Sequence, residues 1–175
     1  MGQETVLQYC YDALCERLAA LGETSGLFAL DAVHGTRTGA STVRVGIADV
    51  SQVAADRNGV HVVVDERLYA APTRIACVVA LTVSAERYTD ALATLGMLVK
   101  HFKEQNTLEV GAFNWHGNTD GMIYLEPLLR EPERRPVAET PVLTLEYRFE
   151  VGINAEQSEP VHRVEQRSVH GVLKP

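Results

Sequence analysis

The stretch VLTLEYRFEVGIN, residues 142 to 154, has the most regular pattern in the chain. Apolar and polar side chains alternate along it. One set is Leu143, Leu145, Tyr147, Phe149, Val151 and Ile153, and the other is Thr144, Glu146, Arg148 and Glu150. Successive side chains of a β-strand point to opposite faces of its sheet. The stretch therefore predicts a strand with one face in the core and the other in water or against a partner.

A second strand is predicted upstream, at RIACVVALTVS, residues 74 to 84. Its β-branched and small side chains occupy both faces, which is typical of a central strand that is covered on both sides. A helix is predicted next, over residues 85 to 104, with Ser84 as its cap. Its apolar face is expected to consist of Tyr88, Leu92, Leu95, Val99 and Phe102, which repeat at steps of four and three. Gly96 lies inside this helix, where it is expected to mark a close contact with a strand.

The N-terminal part predicts another helix, over residues 4 to 21 and ending near Gly22. Its apolar face is formed by Val6, Cys10, Leu14, Leu18 and Leu21. Residues 22 to 42 predict a loop with a short strand near residues 27 to 30. A strand follows at 42 to 50, with Val43, Val45 and Ile47 facing the core. Asn58-Gly59 is a strong hairpin signal and predicts that residues 60 to 64 pair with the strand at 42 to 50.

Two helical patterns and at least four strand patterns predict an α/β fold in the looser α+β sense. The sheet is expected to be mostly antiparallel or mixed, and to be packed by the two amphipathic helices. A domain of this kind is predicted over residues 1–154. Residues 155–175 carry no core pattern and predict a polar C-terminal arm, which is either disordered or gains order by adding a strand to the sheet edge of a neighbour.

Composition excludes several classes of protein. The net charge of -7 and the pI near 5.3 argue against a nucleic-acid partner, which requires a basic surface. MGQETVLQ at the N-terminus lacks a basic start and a long apolar run, so no signal peptide is expected. No apolar run is long enough to cross a membrane. Cys10, Cys15 and Cys77 form no CxxC pair and are expected to be buried thiols.

The segment FNWHGNTDG, residues 113 to 121, is the main candidate for chemistry. Trp115, His116 and Asp120 could serve a small hydrolase or a ligand-binding domain. Glycine, asparagine and aspartate also tolerate positive φ or bond their own backbone, as a hairpin turn requires. The turn interpretation is favoured, and alanine at His116 and Asp120 distinguishes the two because a turn in a structural protein should tolerate it.

Other candidate sites are weaker. His116 with Asp120, and Asp31 with His34, lack the spacing of a known metal motif. No cysteine or serine has a motif that pairs it with a base, and the glycines at 35, 39 and 46 do not open a helix as a phosphate loop does. Glu126 and Glu131 lie beside prolines and are expected to be solvated rather than catalytic. We therefore expect no enzyme, and no catalytic, cofactor or metal site.

Four segments together resemble the tail-terminator or cap proteins of contractile injection systems, which are phage-tail-like particles. They are VLQYCYDALCERLAAL (6–21), RIACVVALTVSA continuing into ERYTDALATLGMLVKHFKEQNTLE (74–109), IYLEPLL (123–129) and TPVLTLEYRFEVGIN (140–154). The second matches the family's strand followed by a helix with an Ala-Leu-x-x-Leu-Gly core. The last is similar to its closing strand, with a tyrosine-arginine centre. The resemblance covers roughly residues 4 to 154.

The resemblance implies a structural role without a cofactor. Such proteins sit on the end of an inner tube and outer sheath, stop polymerisation, and are usually hexameric rings. The implied partners are further copies of the chain and the sheath and tube proteins, with no nucleic acid and no membrane. The implied location is the cytoplasm during assembly and then the particle. A related alternative is a head-tail joining or tail-completion protein of a phage.

Overall fold

The computed structural model describes residues 5–31, 40–53, 61–128, 142–154 and 158–160 of the chain. The helices are α1 (Val6–Ser25) and α2 (Tyr88–Glu104). The strands are β1 (Phe28–Leu30), β2 (Ser41–Gln52), β3 (Val62–Val64), β4 (Arg67–Tyr69), β5 (Thr73–Ala85), β6 (Thr107–Glu109), β7 (Met122–Tyr124), β8 (Glu126–Pro127), β9 (Val142–Ile153) and β10 (Ser158–Pro160). Helices packed on a mixed sheet make an α+β fold, so the predicted fold class is confirmed.

The main sheet has five strands in the order β1-β2-β5-β9-β8. The pair β1–β2 is parallel and the other pairs are antiparallel. β5 lies in the centre, as its sequence predicts, and it pairs with β9 from Thr73↔Ile153 to Ser84↔Val142. This long ladder fixes which side chains of β5 and β9 share a face.

One face of the sheet forms the core with both helices. Leu81, Phe149 and Val151 are buried on this face. Phe102 of α2 packs on Tyr147 with ring centroids 4.8 Å apart, and α1 contributes to the same hydrophobic cluster. The predicted core face of β9 is therefore confirmed over most of its length. Ile153 is the exception, since it ends the strand opposite exposed Thr73 and is 46% exposed.

Helix α1 is longer than predicted. Thr5 caps it by accepting a hydrogen bond from the Gln8 amide at 3.2 Å, and Gly26, with φ of 66°, ends it. The predicted end at Gly22 is wrong because Gly22 lies inside the helix and is buried. A Cβ there would lie 2.8 Å from the Phe28 carbonyl oxygen, so this glycine allows β1 to pack closely on the helix. Val6, Cys10, Leu14 and Leu18 are buried as predicted, while Leu21 is partly exposed.

Helix α2 buries a face that overlaps the predicted one at Phe102 and, in part, at Leu95, but is otherwise different. The buried residues are Ala91, Thr94, Leu98 and Phe102. Tyr88, Leu92 and Val99, which the sequence assigned to the core, are exposed. Ser84 belongs to β5 and does not cap the helix, since the cap position is Arg87. Gly96 was expected against a strand, but a Cβ placed there would have no atom within 4 Å, so that expectation is wrong.

The predicted pairing of residues 60 to 64 is also wrong, because β3 pairs with β4 and not with β2. Asp65 and Glu66 connect them with φ of 48° and 61°, which are the positive values that a two-residue hairpin turn of type I′ requires. The Asn58-Gly59 signal lies outside the described residues. In β2, Val43 and Val45 are buried as predicted, but Ile47 is exposed and the register shifts between it and Asp49.

Part of the C-terminal arm pairs with a strand of the same subunit. β10 pairs antiparallel with β4, with Pro160 opposite Arg67, and forms a small sheet in the order β10-β4-β3. The other residues of the arm lie outside the described residues. The boundary between domain and arm, after residue 154, stays a prediction.

Candidate functional site

The FNWHGNTDG segment belongs to the loop that joins β6 to β7, which pair antiparallel. Strand β6 ends at Glu109, and a 3-10 turn at Gly111–Phe113 leads into the loop. Gly117 and Gly121 have φ of 92° and 66°, which side-chain-bearing residues rarely adopt. The loop can therefore reverse direction twice before it enters β7.

Asp120 holds the end of this loop. Its carboxylate accepts hydrogen bonds from the Met122 amide at 3.0 Å and from the Tyr124 hydroxyl at 2.6 Å. The Tyr124 bond and then the Met122 bond lower the pKa of Asp120, and the same carboxylate raises the pKa of Tyr124. The side chain offered as a catalytic or metal-binding candidate thus stabilises its own turn.

Hydrogen bonds and ring packing attach the loop to the end of β9. The His116 amide donates to Asn154 Oδ1 at 2.8 Å, and Asn154 Nδ2 donates to the Asn114 carbonyl at 3.4 Å. The Trp115 indole lies over Gly152, where a Cβ would overlap the ring and approach Nε1 to 2.7 Å. Only glycine at position 152 leaves room for the indole.

Gly152 shares its face with Glu150 and Arg148, because side chains two residues apart on a strand point the same way. This is the face opposite the helices. The loop therefore closes over the side of the sheet that the sequence predicts to be wet or bound to a partner. The His116 ring packs on Tyr69 of β4 with centroids 4.7 Å apart, so the loop also joins the small sheet to the main one.

A cleft of about 590 Å³ opens between the loop and β9. Trp115, His116, Asp120 and Tyr124 line one side, and Arg74, Arg148 and Glu150 line the other. Glu150 accepts from Arg148 at 2.6 Å and also pairs with Arg74, so both guanidinium groups are partly neutralised. The cleft combines aromatic surface with charges that are already paired within the chain.

The cysteines are poor nucleophiles. Burial raises the pKa of Cys10 to about 12 and that of Cys77 to about 11, so both are protonated thiols in the core. Cys15 is partly buried, and burial raises its pKa as well. Since the thiolate is the reactive form, none of the three has the lowered pKa of a catalytic cysteine.

Of the remaining candidate groups in the described residues, Glu126 lines the same cleft, whereas Asp31 and Gly46 lie elsewhere. Asp31 pairs with Arg44 at 2.6 Å, while His34, Glu131, Gly35 and Gly39 lie outside the described residues. Glu126 is opposite Arg148 in the β8–β9 pair, and Gly46 lies inside β2. The described part of the chain contains no cluster of three or more metal-ligating side chains.

Sequence reasoning missed Arg74, Tyr124 and Asn154 as parts of this site. Nothing local marks them, since they come together only through the β5–β9 register and the return of the loop. Gly152 carried a usable signal, because a glycine inside a strand pattern indicates the close approach of another group.

Two apolar surfaces lie elsewhere. We call Tyr88, Leu92 and Val99, exposed by 57%, 46% and 44%, the α2 stripe. We call Ile47, Asp49 and Val50 the β2 edge, where Ile47 and Val50 are exposed by 48% and 50%. Neither surface is covered by another described element. No helix among the described residues is both long and apolar enough to cross a bilayer.

No protein-family model matches the chain, and comparison with curated proteins finds no significant match. Its function is therefore inferred from its own residues and geometry.

Proposed function

We propose that this chain is a structural protein that caps the tube and sheath of a contractile phage-tail-like particle, as a homo-oligomeric ring. The observation that carries the ring is the α2 stripe. Three large apolar side chains lie on the outer face of a helix whose other face already fills the core. Extended apolar surface of this kind is unusual on a monomer and typical of a protein interface.

The second support is the sequence resemblance, whose strand-helix segment corresponds to β5 and α2. The α+β fold is compatible with this role. The two helices share a hydrophobic core with the strands of the β5–β9 ladder. The loop at 113–121 supports the same proposal. The Asp120 carboxylate accepts a hydrogen bond from the Met122 amide, and Asn154 at the end of β9 accepts one from the His116 amide. These side chains therefore stabilise the loop backbone instead of being available for catalysis.

The decisive experiment mixes the purified chain with the tube and sheath proteins of the same particle. We expect rings in electron micrographs, and tubes and sheaths that each carry one ring at an end and stop growing. Tube and sheath that polymerise to the same length with and without the chain, and carry no ring, would overturn the capping role.

The C-terminal arm gives a further test of assembly. A chain cut after Asn154 lacks β10 as well as the rest of the arm, whereas a chain cut after Pro160 keeps β10 on β4. If the arm joins neighbouring subunits, both truncated chains should lose oligomeric mass in light scattering while circular dichroism shows that they stay folded. Unchanged mass in both would remove the arm from assembly.

The cleft supports a second candidate function, the binding of a small ligand. Its volume of about 590 Å³ lies within the range of small-molecule sites, and such sites usually combine apolar walls with a few polar groups. His116→Ala and Asp120→Ala distinguish the two functions. Both variants should assemble normally if the chain is a terminator, and should lose binding if the cleft holds a ligand.

A further inference from the structure

The cleft between the loop and β9 has an acidic side and a basic side. Asp120 bonds Tyr124 on the loop side. Glu126 points the same way as Tyr124, because one buried residue separates the two on an extended segment. Both carboxylates line the cleft. On the other side Glu150 pairs with two guanidinium groups, so one positive charge remains there.

The arginines of the basic side have unused hydrogen-bond donors. A guanidinium group has five N–H donors, and Arg74 and Arg148 each bond Glu150 through one terminal nitrogen. Glu126 lies opposite Arg148 in the β8–β9 pair, yet these two described residues form no ion pair. The carboxylate of a ligand is the complementary group for this side, because guanidinium groups form charge-assisted hydrogen bonds to carboxylates.

The acidic side is complementary to an ammonium group. One Asp120 oxygen accepts from the Tyr124 hydroxyl and the other from the Met122 amide, and these bonds lower the pKa of Asp120 and keep it ionised. A carboxylate has about four lone-pair positions, so Asp120 can accept further hydrogen bonds. Glu126 adds a second carboxylate to the same side. An ammonium group has three donors and no acceptor, which suits two neighbouring carboxylates.

Aromatic surface lies beside both charged sides. The Trp115 indole rests on Gly152, which is paired with Arg74 and lies two residues from Glu150. The indole is therefore next to the basic side, whereas Tyr124 is bonded to Asp120 on the acidic side. An apolar side chain of a ligand can pack on these rings while its charged groups bond the two sides.

We propose that the cleft binds a zwitterion, namely an amino acid or a dipeptide with an apolar side chain. Its carboxylate bonds the two arginines, and its ammonium group bonds Asp120 and Glu126. Its side chain packs on the Trp115 and Tyr124 rings. A ligand with a single charge would cover one charged side without giving it a partner, which lowers affinity. This inference rests on the second candidate function above and names its ligand.

The test titrates the full chain with related ligands and follows the emission of Trp115, the only tryptophan. Phenylalanine has both charges, phenylalaninamide lacks the carboxylate, and N-acetylphenylalanine lacks the ammonium group. Phenylalanine should bind at least about threefold more tightly than either derivative, a difference within the range of exposed ion pairs. Phenylalanylglycine is titrated in parallel, and the tighter of the two zwitterions shows whether the cleft prefers an amino acid or a dipeptide.

Two substitutions assign each charge of the ligand to a side of the cleft. Arg74→Gln should reduce the preference for phenylalanine over its amide and leave its preference over the N-acetyl form. Asp120→Asn should do the reverse, and Glu126→Gln, which removes no hydrogen bond of the loop, gives a second measure of the acidic side. Arg44→Gln is the matched control and should change neither preference, because this exposed arginine pairs with Asp31 outside the cleft. Circular dichroism checks that each variant is folded.

The outcomes separate the zwitterion from ligand binding in general. Equal binding of phenylalanine and its two derivatives would overturn the zwitterion and leave the cleft as a ligand site. Substitutions that weaken all of the ligands alike would do the same. Emission that responds to none of the ligands would overturn both the zwitterion and the second candidate function. The ring is tested separately, by the tube and sheath experiment.

Discussion

Replacing Gly152 by alanine tests how the 113–121 loop is held against the sheet. The added Cβ would overlap the Trp115 ring. The strand cannot retreat easily, because Gly152 is paired in register with Arg74 of β5. The indole must therefore move, and it leaves the position in which the Asn154 contacts hold the loop.

The expected cost follows from the size of this overlap. Adding one methyl group to a packed site costs about 1–3 kcal/mol of unfolding free energy. For a chain of this size each kcal/mol corresponds to about 2–4 °C, so the melting temperature should fall by about 2–12 °C. Circular dichroism follows the melting, and the only tryptophan of the chain reports on its own environment. Its emission should shift to longer wavelength as the ring becomes more exposed to water.

Gly46→Ala is the matched control. Gly46 also lies in a strand of the main sheet, but a Cβ there would have no atom within 4 Å. Its effect should remain within about ±0.5 kcal/mol. If Gly152→Ala has the stability and emission of the wild type, the indole does not lie on Gly152. In a Trp115→Leu background, which lacks the indole, Gly152→Ala should cost clearly less.

Two further predictions concern helix α2. Leu98→Ala should cost about 2–5 kcal/mol in denaturant unfolding because the side chain is fully buried, whereas Leu92→Ala should stay within about ±0.5 kcal/mol when measured on dissociated chain. Equal costs would contradict the face that α2 buries. Burial, and then Arg17, lower the pKa of His101 below its usual 6.5, so the unfolded chain takes up the proton first as pH falls. The wild type should lose more stability than His101→Gln between about pH 7 and the lowered pKa. Exposed His61→Gln is the control, and identical pH profiles for wild type and His101→Gln would refute the prediction.

Much of the architecture could be predicted from local patterns. The alternation in 142–154 predicted β9 and most of its core face, and the doubly apolar run at 74–84 predicted a central strand. Val6, Cys10, Leu14 and Leu18 predicted the buried side of α1. These predictions succeeded because a strand or helix of fixed period presents its apolar residues on one face, and burial of that face favours one orientation.

Helix α2 shows that such patterns do not always identify which face of a helix is buried. Leu92 and Val99 are apolar at helical spacing, and so are Ala91 and Leu98, which lie on another side of the same helix. Phe102 is at helical spacing from both Leu98 and Val99 and therefore borders both faces. Periodicity alone favours, as the buried face, the stripe whose apolar side chains are larger and more regularly spaced. The sheet instead packs against Ala91 and Leu98, because a small side chain lets the helix approach β5 and Thr94 can bond Ser41 at 3.1 Å.

The sequence by itself determined the two helices, the long strands and the turn-forming character of the 113–121 loop, because those follow from neighbours within a few residues. Only the tertiary structure decided that β3 pairs with β4, that Trp115 covers Gly152, and that Arg74, Arg148 and Glu150 share a cleft with that loop. Each of these contacts joins segments far apart in the chain. Their formation depends on strand register and on the space left between packed elements, which no local pattern specifies.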